Sequence, residues 1–253
     1  MLGPKERFSS RVDDYVKYRP LYPPEVLDLL QRECGLTPAW EIADVGAGPG
    51  NLSRLFLANG NRVYAIEPNR EMREAGEALL GGDPRFVSAE GSAEETTLPT
   101  ESVDLVVAGQ AFHWFDAELA KREFLRILRP GGWVALIWNM RQTGESSFAH
   151  RYEAILRTIP EYGAVKADTA PIERLKGFFA PAEMRQGTLF NEQRLELEAF
   201  LGRVLSSSYV PQAGMPGHEA IVEAMTHLFE HEAKGGQIRF LYDTQVYYGP
   251  LAA

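Results

Sequence analysis

The sequence has 253 residues, of which 45% are hydrophobic and 24% are charged, and its formal net charge is −9. This composition is ordinary for a folded chain and excludes a disordered or fibrous protein. The acidic balance argues against nucleic-acid binding, because a negative surface repels phosphates. The longest uncharged apolar run, residues 105–115, is too short for a membrane span, which needs roughly 18 residues.

Two further features of the composition indicate the compartment. The first residues lack the apolar stretch of a secretion signal. Cys34 is the single cysteine, so no intrachain disulfide can form and a reducing compartment fits. We therefore expect a cytoplasmic monomer or homodimer that acts on a small-molecule substrate and has no nucleic-acid, membrane or metal partner.

Prolines dominate the early part of the chain. Pro20, Pro23 and Pro24 exclude a continuous helix there. A helix can begin directly after Pro24, because apolar residues follow at helical spacing, and Gly35 is a suitable stop.

From residue 40 onward, short apolar runs alternate with amphipathic helical patterns. The predicted strands cover residues 42–45, 62–66, 85–88, 103–108 and 133–138. The run at 103–108 is almost wholly apolar, which is typical of a strand that is buried on both faces. Strands and helices that alternate at this period predict a doubly wound parallel sheet with right-handed crossovers.

The alternation stops after Asn139. Helical patterns then cover residues 148–159, 197–205 and 221–229, and the chain ends in an alternating strand at 238–248. We divide the chain into four parts on this basis. They are an N-terminal lid segment and helix (1–35), a cofactor-binding core (36–140), a helical cap that sets specificity and includes a late strand (141–237), and a C-terminal strand of the core sheet (238–253).

A glycine-rich turn follows the first strand of the core, in the run from Asp44 to Gly50. Glycine lets the backbone turn sharply and approach a ligand closely, and this turn lies at the carboxyl end of a strand, where open α/β sheets bind ligands. Glu67 comes directly after the second strand, and its carboxylate can accept hydrogen bonds from both hydroxyls of a ribose. These features predict a nucleoside-bearing ligand.

The spacing of the glycines and one acid decide between two ligands. A dinucleotide fingerprint would need glycine at position 51, which is Asn51. Asp44 precedes the first glycine by two residues and would repel a pyrophosphate, whereas a cationic ligand would tolerate it. S-adenosylmethionine carries an ammonium, a sulfonium and a ribose but no phosphate, so it is favoured over NAD. An NAD-dependent oxidoreductase remains the alternative.

The run from Asp44 to Gly50, together with Glu67, resembles motif I and the ribose-binding acid of class I S-adenosylmethionine-dependent methyltransferases. Later motifs of that family are matched in the same order by residues 91–94, 103–107 and 128–132. The segments 15–20 and 110–115 are similar to the methyltransferase type 11 branch, which includes trans-aconitate-methyltransferase-like proteins. The resemblance implies a mostly parallel, seven-stranded, Rossmann-like methyltransferase sheet with a helical elaboration.

The resemblance also implies roles for individual residues in binding S-adenosylmethionine. Asp44 would lie near the ammonium, Glu67 would hold the ribose, and Gln110 would face the methyl donor. The glycine-rich loop would fold under the cofactor, and a further group would border the adenine. The loop residues are Gly46, Ala47, Gly48 and Gly50, and the adenine group is Pro68, Ser92, Ala93 and Glu94.

Substrate contacts are expected on both sides of the cofactor. His113 is the candidate catalytic residue, either as a proton acceptor or as part of the wall, and Trp114 is a wall residue. Tyr15, Tyr18 and Arg19 belong to the lid segment, and Arg19 could pair with a carboxylate of the cofactor or of the substrate. No side chain indispensable to methyl transfer is identifiable, so a non-catalytic S-adenosylmethionine-binding module is a second alternative.

One motif favours a different chemistry. Residues 227–231 match the H-x-x-E-H pattern of zinc peptidases. The neighbouring apolar stripe on the same helix turns His227, Glu230 and His231 away from the core, which argues against a zinc site.

Overall fold

The structure, a computed structural model, describes residues 12–143, 147–166 and 172–252. The strands are β1 (Glu41–Val45), β2 (Arg62–Ile66), β3 (Phe86–Ala89), β4 (Val103–Gly109), β5 (Leu128–Arg141), β6 (Arg185–Leu195) and β7 (Ile238–Pro250). The helices are α1 (Val12–Tyr18), α2 (Glu25–Cys34), α3 (Asn51–Asn59), α4 (Arg70–Leu80), α5 (Ala117–Ile127), α6 (Ser147–Leu156), α7 (Pro160–Lys166), α8 (Ile172–Phe179), α9 (Leu197–Leu205) and α10 (His218–Glu232).

Seven strands of the described residues form one sheet in the order β3-β2-β1-β4-β5-β7-β6. The first five strands in this order are parallel, and β7 and β6 are added antiparallel. The predicted α/β class, with a mostly parallel Rossmann-like sheet, is confirmed. Strand order reverses between β1 and β4, and ligands bind beside such a switch point in open α/β sheets.

Two elements differ from the sequence predictions. Strand β5 already begins at Leu128, which pairs with Val103, and the next pair is Leu105 with Trp133. The intervening Pro-Gly-Gly run therefore forms a bulge in the strand rather than the turn before it. The second difference concerns the late strand expected in the helical cap, to which the sequence pattern gave no position: the structure places a strand there, β6, at Arg185–Leu195.

Apolar residues on the two faces of the sheet are covered by different helices. Helices α2 and α3 contribute to one cluster with β1, β4 and β5, and α5 and α8 contribute to the cluster on the other face. A third cluster joins α6, α9 and α10 to the ends of β6 and β7. The first half of β7 thus packs in the third cluster, and its second half packs against the parallel core.

Local signals explain the ends of individual helices. Gly35 adopts a left-handed φ of 79° and caps α2, as predicted. Helix α10 buries Ile221, Met225, Leu228 and Phe229. His227 and Glu230 are therefore exposed, as the position of the apolar stripe predicted. No helix in the described ranges is both long enough and apolar enough to cross a membrane.

Candidate active site

The glycine-rich loop between β1 and α3 is anchored to β2. The amides of Gly46 and Ala47 both donate to the Ile66 carbonyl, at 2.8 and 3.1 Å. Three glycines of the loop have positive φ values of 69°, 56° and 87°, a region that L side chains rarely adopt. They are Gly46, Gly48 and Gly50.

The three glycines serve different purposes. A Cβ on Gly46 would lie 2.7 Å from the Cβ of Ala111, and one on Gly50 would lie 2.5 Å from Leu80 Cδ1. Packing therefore requires glycine at position 46, where the Ala111 Cβ cannot move aside, whereas at position 50 the Leu80 methyl group would have to shift. A Cβ on Gly48 would meet no atom of the described residues within 4 Å. Gly48 faces open space, where a ligand can approach the backbone.

Glu67 at the end of β2 holds this loop in place. Its Oε2 accepts a hydrogen bond from the Gly48 amide and its Oε1 accepts one from the Asn69 amide, each at 2.8 Å. The side chain is mostly buried. Each carboxylate oxygen has a second lone pair, so the group can support the loop and still accept hydrogen bonds from a ligand.

Asp44 lies beneath the loop and is completely buried. Ser53 Oγ donates a hydrogen bond of 2.6 Å to Asp44 Oδ2, whereas Oδ1 has no hydrogen-bond partner among the described residues. Burial raises the pKa of this carboxyl to about 7, with a smaller contribution from the charge of Glu67, and the bonds from Ser53 oppose the rise. A buried acceptor without a donor is costly, and it fits a ligand that brings a donor or a positive charge.

A cavity opens above Asp44 at the carboxyl ends of β1 and β4. It collects eight of the residues predicted from the sequence: Arg19, Asp44, Gly46, Ala47, Gly48, Gln110, His113 and Trp114. Nine residues that the sequence motifs do not predict complete the lining: Pro20, Tyr22, Pro49, Asn51, Leu52, Gly109, Trp138, Ser208 and Tyr209. Asn51 could have been predicted to line the cavity, because it directly follows the glycine-rich loop. Ser208 and Tyr209 could not, because they lie far from the loop along the chain.

The wall beyond β4 is built by a strained turn and a short helix. Gln110 has a φ of 58°, which is unusual for a residue other than glycine and indicates local strain. The backbone amide of Gln110 donates to the Ile137 carbonyl at 2.9 Å. His113 and Trp114 follow in a single 3₁₀ turn, with their ring centroids 4.7 Å apart. Both residues thereby line the cavity.

The N-terminal segment forms the roof of this cavity, which we define as Arg19, Pro20 and Tyr22. Arg19 Nη2 donates to the Ser206 carbonyl at 3.0 Å. Tyr18 instead points away from the cavity. Its hydroxyl donates to Glu198 at 3.0 Å, and its ring packs where a side chain on Gly202 would otherwise lie. The side chain of Tyr15 is outside the part of the chain that the structure describes.

The residues expected at the adenine lie beside β2 and β3, outside the lining of this cavity. Pro68 follows Glu67 and is half-buried, and Ala93 is buried. Ser92 Oγ accepts from the Glu94 amide at 3.3 Å, and Glu94 Oε1 accepts from the Asp116 amide at 2.9 Å. The last bond connects this loop to the segment that follows His113 and Trp114.

Comparison with known proteins gives concordant results. A family model described as a methyltransferase domain matches residues 43–136. An uncharacterized methyltransferase of Mycobacterium tuberculosis is 41% identical over 134 residues, which are 53% of this chain and 52% of that protein. One of Schizosaccharomyces pombe is 38% identical over 135 residues, 53% of each chain. The chain thus spans about half the length of the curated relatives it matches.

A solved structure extends the similarity to most of the fold. A protein of Anaeromyxobacter dehalogenans assigned as a type II methyltransferase superimposes with a TM-score of 0.65 at 26% identity. The superposition covers 93% of this chain and 100% of that one. The likeness therefore extends well beyond the segment that the family model matches.

Proposed function

We propose that the chain is a class I S-adenosylmethionine-dependent methyltransferase, in keeping with its similarity to the methyltransferase domain model and to methyltransferases of known sequence and structure. In this proposal it binds S-adenosylmethionine in the cavity and methylates a small molecule. The observation that carries the proposal is the buried Asp44 oxygen that has no donor within the described residues, next to the open face of Gly48. When bound, S-adenosylmethionine supplies an electrophilic methyl group on a sulfonium sulfur.

The site fits the methionine end of this cofactor. Asp44 Oδ1 offers an acceptor to the ammonium group, and a positive charge there favours the ionised carboxylate. Gly48 leaves room for a ligand that lies against the loop. Arg19 in the roof brings a guanidinium to the cavity, a group that binds carboxylates.

Glu67 and the loops after β2 and β3 bind the other end of the cofactor, which is its ribose and adenine. Glu67 accepts hydrogen bonds from the ribose hydroxyls while its bonds to the loop amides keep it in place. Pro68, Ser92, Ala93 and Glu94 border the adenine. The arrangement assigns one acid to each end of the ligand: Asp44 to the ammonium and Glu67 to the ribose.

Methyl transfer here depends on alignment and on exclusion of water rather than on covalent catalysis. Gln110 and His113 border the cavity from the β4 side, and the roof covers it. An acceptor carboxylate needs no base, and His113 then only positions it. For a carbon acid or a protonated nitrogen, His113 is the group in the cavity that removes the proton.

Isothermal calorimetry tests the cofactor assignment. The wild type is titrated with S-adenosylmethionine, S-adenosylhomocysteine and NAD, and we expect binding of the first two alone. Glu67→Ala removes hydrogen bonds from a charged group and weakens that binding roughly ten- to hundredfold. Glu90→Ala is the matched control, because Glu90 is exposed and pairs only with Arg73 among the described residues, at 3.1 Å. This control keeps the wild-type affinity.

The result also separates the alternatives. Binding of NAD without either adenosyl ligand favours an oxidoreductase and contradicts the proposal. Binding of S-adenosylmethionine without release of S-adenosylhomocysteine, in the presence of a broad panel of small acceptors, favours a non-catalytic binding module. Turnover with one member of the panel identifies the acceptor class.

A further inference from the structure

A buried amide joins the cavity to the antiparallel strands. Asn139, near the end of β5, is only 7% exposed. Its Oδ1 accepts hydrogen bonds from Thr244 Oγ1 on β7, at 2.6 Å, and from Asn191 Nδ2 on β6, at 3.1 Å. Its Nδ2 donates to the Leu21 carbonyl at 3.3 Å. Every polar atom of the side chain is therefore used.

The Leu21 carbonyl lies in the middle of the roof, between Pro20 and Tyr22. It accepts a second hydrogen bond of 2.8 Å from Asn191 Nδ2. Two side-chain amides from β5 and β6 thus hold one peptide group, whose neighbours line the cavity. The Tyr22 hydroxyl in turn packs against Gly109, where a Cβ would collide with it.

Asn139 also contacts the opposite wall. Its backbone carbonyl accepts a hydrogen bond of 3.4 Å from Gln110 Nε2. Gln110 is the strained residue that faces the cavity at the end of β4. One residue therefore connects the roof to the wall across the cavity, and Thr244, itself fully buried, fixes the orientation of its amide.

We propose that Asn139, oriented by Thr244 and Asn191, is a positioning residue that holds the roof against Gln110 and so sets how long an adenosyl ligand stays bound. This inference rests on the proposed function, because it needs the ligand to occupy the cavity. The inference gives β6 and β7 a role at the site, although neither strand contributes a residue to the lining of the described cavity.

The test measures the dissociation rate of S-adenosylhomocysteine by stopped-flow fluorescence. Trp114 and Trp138 line the cavity and report its occupancy. Thr244→Val keeps the shape of the side chain but removes the hydroxyl donor to Asn139. Its dissociation rate should rise about tenfold, the effect of one buried hydrogen bond. Thr244→Ser keeps the hydroxyl and should retain a rate within about twofold of the wild type.

A second variant protects the test against misfolding. Asn191 lies on an edge strand and is only half-buried, so Asn191→Ala removes the other donor with little effect on the core. We expect faster dissociation in this variant as well. The double variant should be accelerated less than the product of the two single effects, because both donors act through the same amide.

The outcomes distinguish the two proposals. A wild type that does not bind S-adenosylhomocysteine overturns both. A wild type that binds it, with variants that melt at lower temperature yet release it at the wild-type rate, overturns the positioning role and leaves the cofactor site intact. Faster release from Thr244→Val and Asn191→Ala, with Thr244→Ser unchanged, supports the positioning role.

Discussion

Asp44 is the residue in which stability and ligand binding oppose each other. Its pKa of about 7 in the folded chain lies above the ordinary value near 3.8. The folded state therefore holds a proton that the unfolded state releases, and stability is lost as the pH rises from about 4 to 7. The same ionisation prepares the carboxylate for a cationic ligand, so affinity for S-adenosylmethionine should increase over the upper part of this range.

Asp44→Asn tests both consequences. The amide cannot ionise, so we expect the variant to be as stable as the wild type below pH 4 and more stable above pH 7, by at most about 4 kcal/mol. Its affinity for S-adenosylmethionine should be lower and independent of pH near neutrality. Urea denaturation and calorimetry at several pH values measure the two effects.

The control for this experiment is Glu90→Gln, at an exposed carboxyl. It should leave both pH profiles unchanged. A stability difference between Asp44→Asn and the wild type that is the same at pH 4 and pH 8 would show that the carboxyl does not change its ionisation on unfolding.

The glycine-rich loop allows a matched comparison between two elements. Gly48 and Gly35 both have positive φ values, 56° and 79°, and a Cβ on either would meet no described atom within 4 Å. Gly48→Ala and Gly35→Ala should therefore cost similar stability, about 1–2 kcal/mol, from backbone strain alone. Only Gly48→Ala should also weaken S-adenosylhomocysteine binding, because its new methyl group enters the cavity. Equal affinities for the two variants in calorimetry would argue against a ligand at this loop.

The strands of the parallel core could be predicted because each is a short apolar run bounded by turn residues. The position of strand β6 could not be predicted within the cap, since its sequence is mostly polar and it lies at the edge of the sheet. Helix α1 is also not predicted from the sequence pattern. It ends at Tyr18, and the prolines exclude a helix only after that residue. Edge strands and short surface helices are stabilised by distant partners, which a local pattern does not contain.

At the scale of the whole molecule, β7 couples the helical region to the sheet. Phe240 on β7 belongs to the third apolar cluster, where its ring lies 5.9 Å from that of Phe200 on α9. The four tryptophans of the sequence, at positions 40, 114, 133 and 138, all precede the helical region. Tryptophan fluorescence therefore reports on the sheet and the cavity beside it, and no tryptophan lies in the helical region.

Phe200→Ala should destabilise the entire fold, by about 3–5 kcal/mol, because it opens a cavity in a fully buried cluster. We expect the urea midpoint from tryptophan fluorescence to fall together with that from far-ultraviolet circular dichroism. Met215→Ala, at a side chain that is 56% exposed, should shift neither midpoint. A Phe200→Ala protein whose fluorescence midpoint stays unchanged would mean that the helical region unfolds independently.

The candidate site, like the fold, has one part that the sequence predicts and one part that it does not. Asp44, Gly48 and Glu67 could be selected from the sequence because they lie within one βαβ unit, where the motif fixes their geometry. Tyr209 could not be selected from the sequence. The hydrogen bond from Arg19 to the Ser206 carbonyl could not be predicted either, since 187 residues separate these two along the chain. Their proximity depends on how the later helices fold back over the sheet.

The hydrogen bonds to the Leu21 carbonyl have a consequence for the order of events during protein synthesis. The glycine-rich loop and its sheet partners are complete in the chain once β5 has been made, whereas the roof waits for donors on residues 139 and 191 and for the Thr244 hydroxyl behind them. A nascent chain that has emerged only as far as residue 141 has its binding loop and Asn139, but it lacks the second donor on Asn191 and the Thr244 hydroxyl that orients the Asn139 amide. Closure of the cavity is therefore among the last steps of folding on the ribosome, and a fragment released early would present an open cleft.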